Sequence, residues 1–377
     1  MNVFPLTVLL LVQWTHVFAF DNGGIATTPT KHVQDAAMLV ASHWIPSNPT
    51  CDSLDKFSTS LDVVRHLRSQ KSAVSPFVGP QGVALVTGGT SGIGRQTVET
   101  LASSGVDMRV ILCARNTDSA RETLDEICHM NPQFNRKNVR IQPLDLADLS
   151  SVQAAVHEIV STEGSIDVLC NNAGVIALGG TTAQNFEVHM GINHIGHFYL
   201  TRLLLPHINR GGRVVTVASS AHSAVRKFCV DDLNFTQRAS RYSPWSGYTS
   251  SKLANILFAK ALQDKVIEHG RGDILSLSLH PGIVKTTNLW RQSDYLLVQS
   301  VRDTLLGKSV EQGAATEVFC CIANAKYFYG GDYVVDCQVA TPNVFGVDES
   351  KTFRKKLWVN TEELIVKAGF ELPEKLF

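Results

Sequence analysis

The 377-residue chain is predicted to form an α/β fold: a single doubly wound parallel sheet of about seven strands with helices on both faces, preceded by a helical N-terminal extension. From residue 82 onward, short apolar runs alternate with helical stretches, as strands buried on both faces require. A glycine-rich turn follows the first of these runs. The 44% of hydrophobic residues suffices for a large core, and zero net charge leaves no basic surface for nucleic acid.

The predicted strands and helices alternate regularly. Strands are expected at residues 83–87, 109–113, 139–144, 166–171, 213–218, 274–280 and 333–336. Connecting helices are expected at residues 96–103, 119–130, 150–162, 187–206, 250–269 and 309–323. A last amphipathic stretch covers residues 350–367, so residues 81–345 are expected to form the sheet domain and residues 346–377 a C-terminal helix and tail.

The first 80 residues lie outside this pattern. Residues 1–20 carry no acidic or basic side chain, and they are predicted to be a signal peptide cut after Ala19 or an uncleaved membrane anchor. Such a signal would direct the chain to the secretory pathway and endoplasmic reticulum. A Phe directly after the cut, here Phe20, resembles plastid-entry signals, so a plastid is the other expected destination. An uncleaved anchor would make the protein membrane-associated. Residues 21–80 are an extension with helix-like stretches at 33–45 and 53–70.

The turn after the first strand is a candidate dinucleotide site of the Rossmann type. Its glycines lie between a buried strand and a helix, so main-chain N–H groups and the positive helix end face an anionic pyrophosphate. A tight strand-to-helix turn without a ligand is the structural alternative. The residues expected to contact the cofactor here are Gly88, Thr90, Ser91, Gly92, Ile93 and Gly94.

The second strand ends in Arg115 and Asn116, with no Asp or Glu where an NAD enzyme would hold both ribose hydroxyls. The guanidinium of Arg115 is suited to a 2′-phosphate, which favours NADP over NAD. A solvated surface arginine is the alternative.

Polar and small residues also follow the third, fourth and sixth strands, at the edge where an open α/β sheet binds its ligand. Asp145 is expected to bond an adenine amine or to cap the next helix. A loop after the sixth strand is expected to clamp a carboxamide such as that of nicotinamide, unless it is an ordinary loop. The expected contacts are Asp145, Leu146, Asn172, Ala173, Gly174, Pro281, Gly282, Val284 and Thr286.

Tyr248 and Lys252 are four residues apart at the start of a predicted helix and share one face of it. An ammonium beneath a phenol favours the phenolate, which makes a tyrosine with a pKa of about 10 useful as an acid–base group. An isolated Y-x-x-x-K is usually an exposed helix pair. Here it follows the glycine turn by the length of one nucleotide-binding domain, which indicates a proton donor to a carbonyl that receives a hydride.

Two further residues are candidates for catalysis. Ser219 ends the fifth strand, where its hydroxyl can bond a substrate oxygen, and Ser220 beside it is the competing choice. Asn193 lies mid-helix, where its side chain is disfavoured unless it holds water or bends the helix. His194 and His197 are spaced for a metal but lack a nearby acidic third ligand, so we expect no metal site.

With these residues in this order, the chain resembles the short-chain dehydrogenases/reductases over residues 81–364. Within them, the stretches 192–198, 251–258, 279–282 and 336–340 are similar to the retinol dehydrogenase group. The resemblance implies a catalytic tetrad of Asn193, Ser219, Tyr248 and Lys252. It also implies that Ser219 polarises a carbonyl, Tyr248 supplies the proton, Lys252 holds a ribose and lowers the pKa of the tyrosine, and Asn193 positions a water.

The implied function is an NADP(H)-dependent oxidoreductase for a small lipophilic carbonyl or alcohol, such as a retinoid, a steroid or a lipid. Four aromatic residues between Ser219 and Tyr248, and an aromatic and aliphatic stretch at 289–306, are expected to form a substrate wall, a lid or a membrane-facing helix, or only a packed loop. A homodimer through the helices preceding and containing Tyr248 is implied, and a monomer on a membrane is equally compatible.

Two alternatives stay open from sequence. One is an NADPH-binding regulatory protein, a redox sensor associated with a membrane complex, for which the intact tetrad would be superfluous. The other is an enzyme like protochlorophyllide reductase, favoured by the stretch 193–198 and disfavoured by residues 171–174.

Overall fold

An eight-stranded sheet forms the centre of the computed structural model, which describes residues 53–70, 74–177, 179–237, 239–285 and 307–377. The strand order is β3-β2-β1-β4-β5-β6-β7-β8, and strands β1 to β7 are parallel. The predicted doubly wound sheet is confirmed. The strands are β1 Val83–Thr87, β2 Arg109–Ala114, β3 Val139–Pro143, β4 Ile166–Asn171, β5 Ile208–Val217, β6 Leu275–His280, β7 Tyr333–Val335 and β8 Gln338–Ala340.

Helices cover both faces because alternate strand residues point to opposite sides of the sheet. In β1, Val83 and Leu85 join one hydrophobic layer, and Ala84 and Val86 join the other. The helices are α1 Ser60–Ser69, α2 Gly92–Ala102, α3 Thr117–Met130, α4 Leu149–Glu163, α5 His197–Leu204, α6 Pro244–Glu268, α7 Val310–Ile322, α8 Val344–Val347 and α9 Thr352–Lys367. Helices α4, α5, α6 and α9 pack in the first layer, and α1, α2, α3 and α7 in the second.

Three elements differ from the sequence-based expectation. The seventh strand continues into β8, an antiparallel edge strand reached through a turn at Asp336 and Cys337, whose φ angles are 53° and 60°. The helix expected at 187–206 contains a π-helix at Met190–Gly196 before α5. Helix α6 begins at Pro244 rather than at residue 250, because Ser243 forms a capping box with Ser246.

The described part of the N-terminal extension packs on the core. Helix α1 starts at Ser60 because Thr59 and Asp62 form a capping box, and it lies against α7 and α2. The segment that follows is held by Arg213, a fully buried β5 residue whose guanidinium bonds the Ser75 hydroxyl and lies 4.9 Å from the Phe77 ring. The predicted signal or anchor at residues 1–20 and the helical stretch at 33–45 lie outside the described residues, as does the stretch at 289–306.

The C-terminal helix α9 lies against helices α5 and α6. Trp358 packs between Phe198 of α5 and Phe258 of α6, with ring centroids 4.9 Å and 6.2 Å away. Arg202 of α5 pairs with Glu362 of α9 at 2.9 Å. Helices α5, α6 and α9 therefore form one packed unit on this face of the sheet.

This packing bears on the implied homodimer. The helices preceding and containing Tyr248 are α5 and α6, and the chain's own α9 covers their outer face. The homodimer implied by the resemblance stays a prediction, and α9 occupies part of the surface of these two helices. In the ranges that the structure describes, no helix combines the length and apolar character needed to cross a bilayer.

We expect Trp358→Ala to lower the free energy of unfolding by about 3–5 kcal/mol, because it leaves a cavity between two buried phenylalanines. Val359→Ala is the matched control, since Val359 is 50% exposed on the same helix and should change stability by no more than about 0.5 kcal/mol. Urea unfolding of the full chain measures both. Equal stability of the two variants would contradict the packing of α9 on α5 and α6.

Candidate active site

A cleft of about 810 Å³ lies at the carboxyl ends of the central strands. It is placed at the topological switch point between β1 and β4, from which the strand order runs outward in both directions. It joins the glycine turn at one end to Tyr248 at the other. The predicted site residues in its lining are Gly88, Thr90, Ser91, Gly92, Ile93, Gly94, Arg115, Asp145, Leu146, Asn172, Ala173, Gly174, Ser219, Tyr248, Lys252, Pro281, Gly282 and Val284. Asn193 lies behind this lining, Asn116 lies outside it, and Thr286 is not among the described residues.

The glycine turn is shaped by close approach of main-chain segments. Gly88 has φ +69°, and a Cβ there would lie 3.0 Å from the Cα of Ala173. A Cβ on Gly94 would lie 2.2 Å from Asn172 Nδ2 and 2.5 Å from the carbonyl oxygen of Gly88. Helix α2 begins directly in this turn, and the side chain of Ser91 at its N-cap makes no capping hydrogen bond. The first-turn amides of α2 are thus available to an anion at the cleft.

The hydroxyl of Thr87 ties the ends of β1 and β4 together. Its oxygen accepts the amide N–H groups of Asn172 at 3.0 Å and Ala173 at 2.9 Å. His197 Nδ1 donates to the carbonyl of Asn193 at 3.1 Å, so Nε2 accepts the Thr87 hydroxyl at 2.8 Å. Burial lowers the pKa of His197 to about 4, which fits this neutral form.

The two histidines of this stretch have separate roles in packing. His197 bonds Thr87, whereas His194 Nε2 lies 3.1 Å from the hydroxyl of Thr361 in α9. In the described ranges, His, Cys, Asp and Glu side chains do not gather in threes that could hold a metal ion.

The far side of the glycine turn presents Arg115 to the cleft. Arg115 is exposed, and no carboxylate of the described residues forms an ion pair with it. Ser119, which sequence reasoning missed, lines the cleft beside it. Asn116 has a structural duty instead, because its side-chain oxygen caps α3 by accepting the amides of Asp118 and Ser119. The cofactor contact predicted for Asn116 therefore has to compete with this cap.

Asp145 lines the cleft but does not cap the next helix. Its carboxylate accepts the amide of Ala147 at 2.9 Å, whereas Asp148 caps α4 by accepting the amide of Ser150 at 2.9 Å. The capping alternative for Asp145 is wrong, because the helix begins three residues later than Asp145 would require.

Tyr248 and Lys252 face the cleft from α6, as the spacing predicts. Tyr248 is buried, and Lys252 Nζ lies 5.8 Å from the centre of its ring. The ammonium is fixed because it donates to the carbonyl of Val217, the last residue of β5, at 3.0 Å. Burial lowers the pKa of Lys252 to about 8, against the opposing effect of the Glu317 carboxylate. Lys252 thus remains mainly cationic at pH 7.

Glu317 is an acidic residue that sequence reasoning missed. It is fully buried in α7, and the thiol of Cys170 donates to its Oε1 at 3.1 Å. Burial raises the pKa of Glu317 to about 7, against the effects of the Cys170 hydrogen bond and the Lys252 charge. A Glu in the otherwise apolar second half of α7 was the available signal.

Ser219 lies two residues beyond Val217, the last residue of β5. Its side-chain oxygen accepts the amide of Ala221 at 3.2 Å, and its carbonyl accepts His222 Nδ1 at 2.6 Å. Ser220 also lines the cleft, so both candidate serines of the sequence are present there.

Asn193 is placed by the π-helix. Its Oδ1 accepts the amide of Val175 at 2.8 Å, and its Nδ2 donates to the Val175 carbonyl and to the Ser251 hydroxyl. A Cβ on Gly174 would lie 3.4 Å from Asn193 Oδ1 and 3.3 Å from Lys252 Nζ. The wider π turn brings the Asn193 side chain up behind Gly174, in the neighbourhood of Lys252.

The four aromatic residues between Ser219 and Tyr248 are mostly packing residues. Phe228 and Phe235 are buried in the core layer, and the Tyr242 hydroxyl donates to Glu187. Only Trp245 packs on Tyr248, with ring centroids 5.8 Å apart. The packed-loop alternative therefore holds for most of this segment.

Comparison with known proteins identifies relatives of the whole described domain. Residues 82–229 match the short chain dehydrogenase family. The chain is 35% identical to the chloroplastic short-chain dehydrogenase TIC 32 B of Brassica napus over 73% of its own length and 86% of that protein. It is 32% identical to retinol dehydrogenase 11 of Homo sapiens over 78% of its length and 89% of that protein. A crystal structure of an uncharacterised protein from Mycobacterium Paratuberculosis matches 80% of this chain and 97% of its own, with 30% identity and a TM-score of 0.60.

We expect Gly94→Ala to weaken dinucleotide binding by roughly 5- to 150-fold, because the added Cβ collides with Asn172 and with the Gly88 carbonyl. Overpacking of this kind costs about 1–3 kcal/mol, and here it is concentrated in the turn itself. Gly272→Ala is the control, since a Cβ there meets only the Ile267 side chain at 3.5 Å. Fluorescence titration with NADPH distinguishes them, and equal affinities would show that the turn is not the binding site.

Proposed function

Because the chain belongs to the short-chain dehydrogenase family, we propose that it is an NADP(H)-dependent oxidoreductase that interconverts a lipophilic carbonyl compound and its alcohol. One observation carries the proposal. A single cleft runs from the glycine turn at the start of α2 to the Tyr248–Lys252 pair of α6, and its volume of about 810 Å³ is large enough for a dinucleotide and a small substrate together.

The residues present fit a nicotinamide dinucleotide. The N-terminus of α2 is free of a side-chain cap and of acidic residues in its first turn, so it suits a pyrophosphate. Arg115 and Ser119 at the same end suit the 2′-phosphate of NADP. Bound there, the cofactor supplies or accepts a hydride at its nicotinamide ring.

Tyr248 is the proposed proton donor in the direction of reduction. A phenol with a pKa of about 10 is a poor acid–base group near neutrality unless a positive charge stabilises its anion. Lys252 provides that charge beneath the ring, and its bond to the Val217 carbonyl prevents it from turning away. The Ser219 hydroxyl is proposed to donate to the substrate oxygen as negative charge develops on it.

Asn193 is the fourth member of the proposed tetrad. Both amide hydrogens of its side chain are used, on Val175 and Ser251, and one lone pair of Oδ1 accepts the Val175 amide. The second lone pair is the acceptor with which it would hold a water on the Lys252 side of Gly174. That water would return a proton to Tyr248 after each turnover.

A lipophilic substrate is proposed because the Tyr248 end of the cleft is lined by apolar side chains. Ile176, Val188 and Ile192 line it, and Trp245 packs on Tyr248. The similarity to retinol dehydrogenase 11 supports a retinoid-like, steroid-like or lipid-like molecule.

A second candidate function is NADPH-dependent regulation of a membrane complex. The similarity to a chloroplastic short-chain dehydrogenase over 86% of that protein's length supports this candidate. The same similarity accords with a plastid or another membrane-bound compartment as the site of action. Such a regulator needs the glycine turn and the ribose contacts but has no use for Tyr248.

We expect Tyr248→Phe to lower kcat by roughly 10²–10⁴-fold, because the phenolic proton donor is lost, while the Kd for NADPH changes by less than about twofold. NADPH oxidation by the purified full chain is measured against retinal, steroid ketones and aliphatic aldehydes. Tyr329→Phe is the control, because Tyr329 is 85% exposed.

The outcomes separate the two functions. Tyr248-dependent turnover supports the oxidoreductase. Tight NADPH binding without turnover of any carbonyl in the panel would favour the regulatory function, and turnover that survives in Tyr248→Phe would refute the proposed chemistry.

We expect Arg115→Ala to weaken NADPH binding by roughly 10- to 100-fold, in line with about 1.5–3 kcal/mol for a hydrogen bond to a charged group, and to leave NADH binding unchanged. Arg121→Ala on α3 is the control, because its guanidinium is exposed and pairs with Asp118. Parallel titrations with both cofactors provide the test. If NADH binding weakened as much as NADPH binding, Arg115 would not recognise the 2′-phosphate.

A further inference from the structure

Two buried residues beside Tyr248, Glu187 and His189, form a network with the partly buried Tyr242 that the proposed chemistry does not use. Glu187 Oε1 accepts His189 Nδ1 at 2.6 Å and the Tyr242 hydroxyl at 2.9 Å, and its Oε2 accepts the amide of Met190 at 2.8 Å. His189 Nε2 accepts the amide of Ala177 at 3.0 Å, so the ring is neutral with its proton on Nδ1. Glu187 is 6% exposed and His189 is fully buried.

The carboxylate is held in its charged form. Burial raises the pKa of Glu187, but the hydrogen bond and the electrostatic interaction with His189, together with the hydrogen bonds from Met190 and Tyr242, outweigh it and keep the pKa below its usual value. Burial and this neighbouring carboxylate hold the pKa of Tyr242 above its usual value, so that phenol stays a hydrogen-bond donor. Tyr242 and Tyr248 thus face opposite charges, a carboxylate and an ammonium.

The network reaches the cleft from two sides. On one side it bonds Ala177, which lines the cleft together with Gly179. On the other side it presses on the first turn of α6, since a Cβ on Gly247 would lie 2.6 Å from Glu187 Oε1 and 2.9 Å from His189 Nδ1. The His189 ring also meets the Tyr248 ring edge-on, with centroids 6.3 Å apart.

The Ala177 side of the cleft needs such support. Gly179 and Gly180 have φ angles of +135° and +121°, a conformation that only glycine adopts readily and that costs the most chain entropy to fix. In the described residues of this loop, the Gly180 carbonyl accepts the amide of Val188, and the Ala177 amide donates to His189. Replacing a buried charged network with apolar side chains is often neutral or stabilising, so a network of this kind points to a role besides stability.

We propose that Glu187, His189 and Tyr242 are positioning residues that fix the substrate end of the cleft by holding Ile176 and Ala177 against the first turn of α6. The proposal rests on the proposed oxidoreductase function. The network lies at the Tyr248 end, and the glycine turn is supported separately by Thr87 and Asn172, so it sets the fit of the carbonyl substrate without altering the cofactor site.

Two variants of His189 test the two halves of its hydrogen bonding. His189→Asn keeps a donor near Glu187 but loses the acceptor for the Ala177 amide, and His189→Gln places an oxygen close to the former Nε2 position. The expected result is faster hydrogen exchange at the Ala177 amide in His189→Asn and restored protection in His189→Gln. His157→Asn, at an exposed position of α4, is the control.

Tyr242→Phe tests the other arm, because it removes one hydroxyl and keeps the ring that packs on Phe235. In this variant and in His189→Asn we expect the KM for the best carbonyl substrate to rise roughly five- to tenfold, as for loss of one hydrogen bond, with NADPH affinity unchanged. Tyr329→Phe is the control for Tyr242→Phe.

Failure of the proposal differs from failure of the proposed function. Absence of Tyr248-dependent turnover in the wild-type chain would count against the oxidoreductase, and Ala177 exchange would still decide whether the network holds the loop. Unchanged Ala177 exchange in His189→Asn, or equal exchange in both His189 variants, would overturn the network. If NADPH affinity fell by the same factor as the carbonyl KM rose, the assignment of the network to the substrate end would be overturned.

Discussion

The hydroxyl of Thr87 is the point at which the sheet and the site are joined. It receives two main-chain amides from the segment after β4 and donates its own proton to His197, so all its hydrogen-bonding capacity is used inside the protein. His197 in turn donates to the main chain of Asn193. The side chain of Thr87 therefore links the end of β1, the segment after β4 and the π-helix. It lies at the switch point of the sheet, next to the glycine turn.

The buried charged groups behind the cleft, Lys252 and Glu317, are also held by hydrogen bonds inside the protein. Lys252 loses much of its hydration, and it keeps a proton near neutrality because it has a carbonyl acceptor and a carboxylate in its neighbourhood. Glu317 in the second layer of the core is desolvated as well, and burial raises its pKa to about 7. Lys252 of α6 and Glu317 of α7 come from distant parts of the chain, and the charge of each shifts the pKa of the other toward its ionised form.

The parts of the molecule that sequence predicted are those encoded locally. The strand boundaries of β1 and β4 and the placement of Tyr248 over Lys252 follow from apolar runs and from helical spacing, and the structure has them. The sequence did not predict β8, the π-helix or the Glu187 network. Strand β8 follows a turn in which the non-glycine residues Asp336 and Cys337 adopt positive φ angles, which no local sequence pattern indicated. The network depends on contacts between distant residues, as when Tyr242 bonds Glu187 across 55 positions. The role of Asn116 was also not predictable, because an Asn between a strand and a helix can either contact a ligand or cap the helix, and the sequence looks the same in both cases.

The C-terminal helix explains why the resemblance extends well past the sheet. Helix α6 carries Tyr248 and Lys252 and is buried along most of its 25 residues, so it must be covered on the side away from β5 and β6. Helix α9 supplies that cover through Trp358, and the tail adds acceptors for Tyr199 and Arg202 at the carbonyls of Glu371 and Pro373. The side of α6 that carries Phe258 is thus covered by a helix of the same chain. Intramolecular packing therefore helps to fix the position of the helix that carries Tyr248 and Lys252.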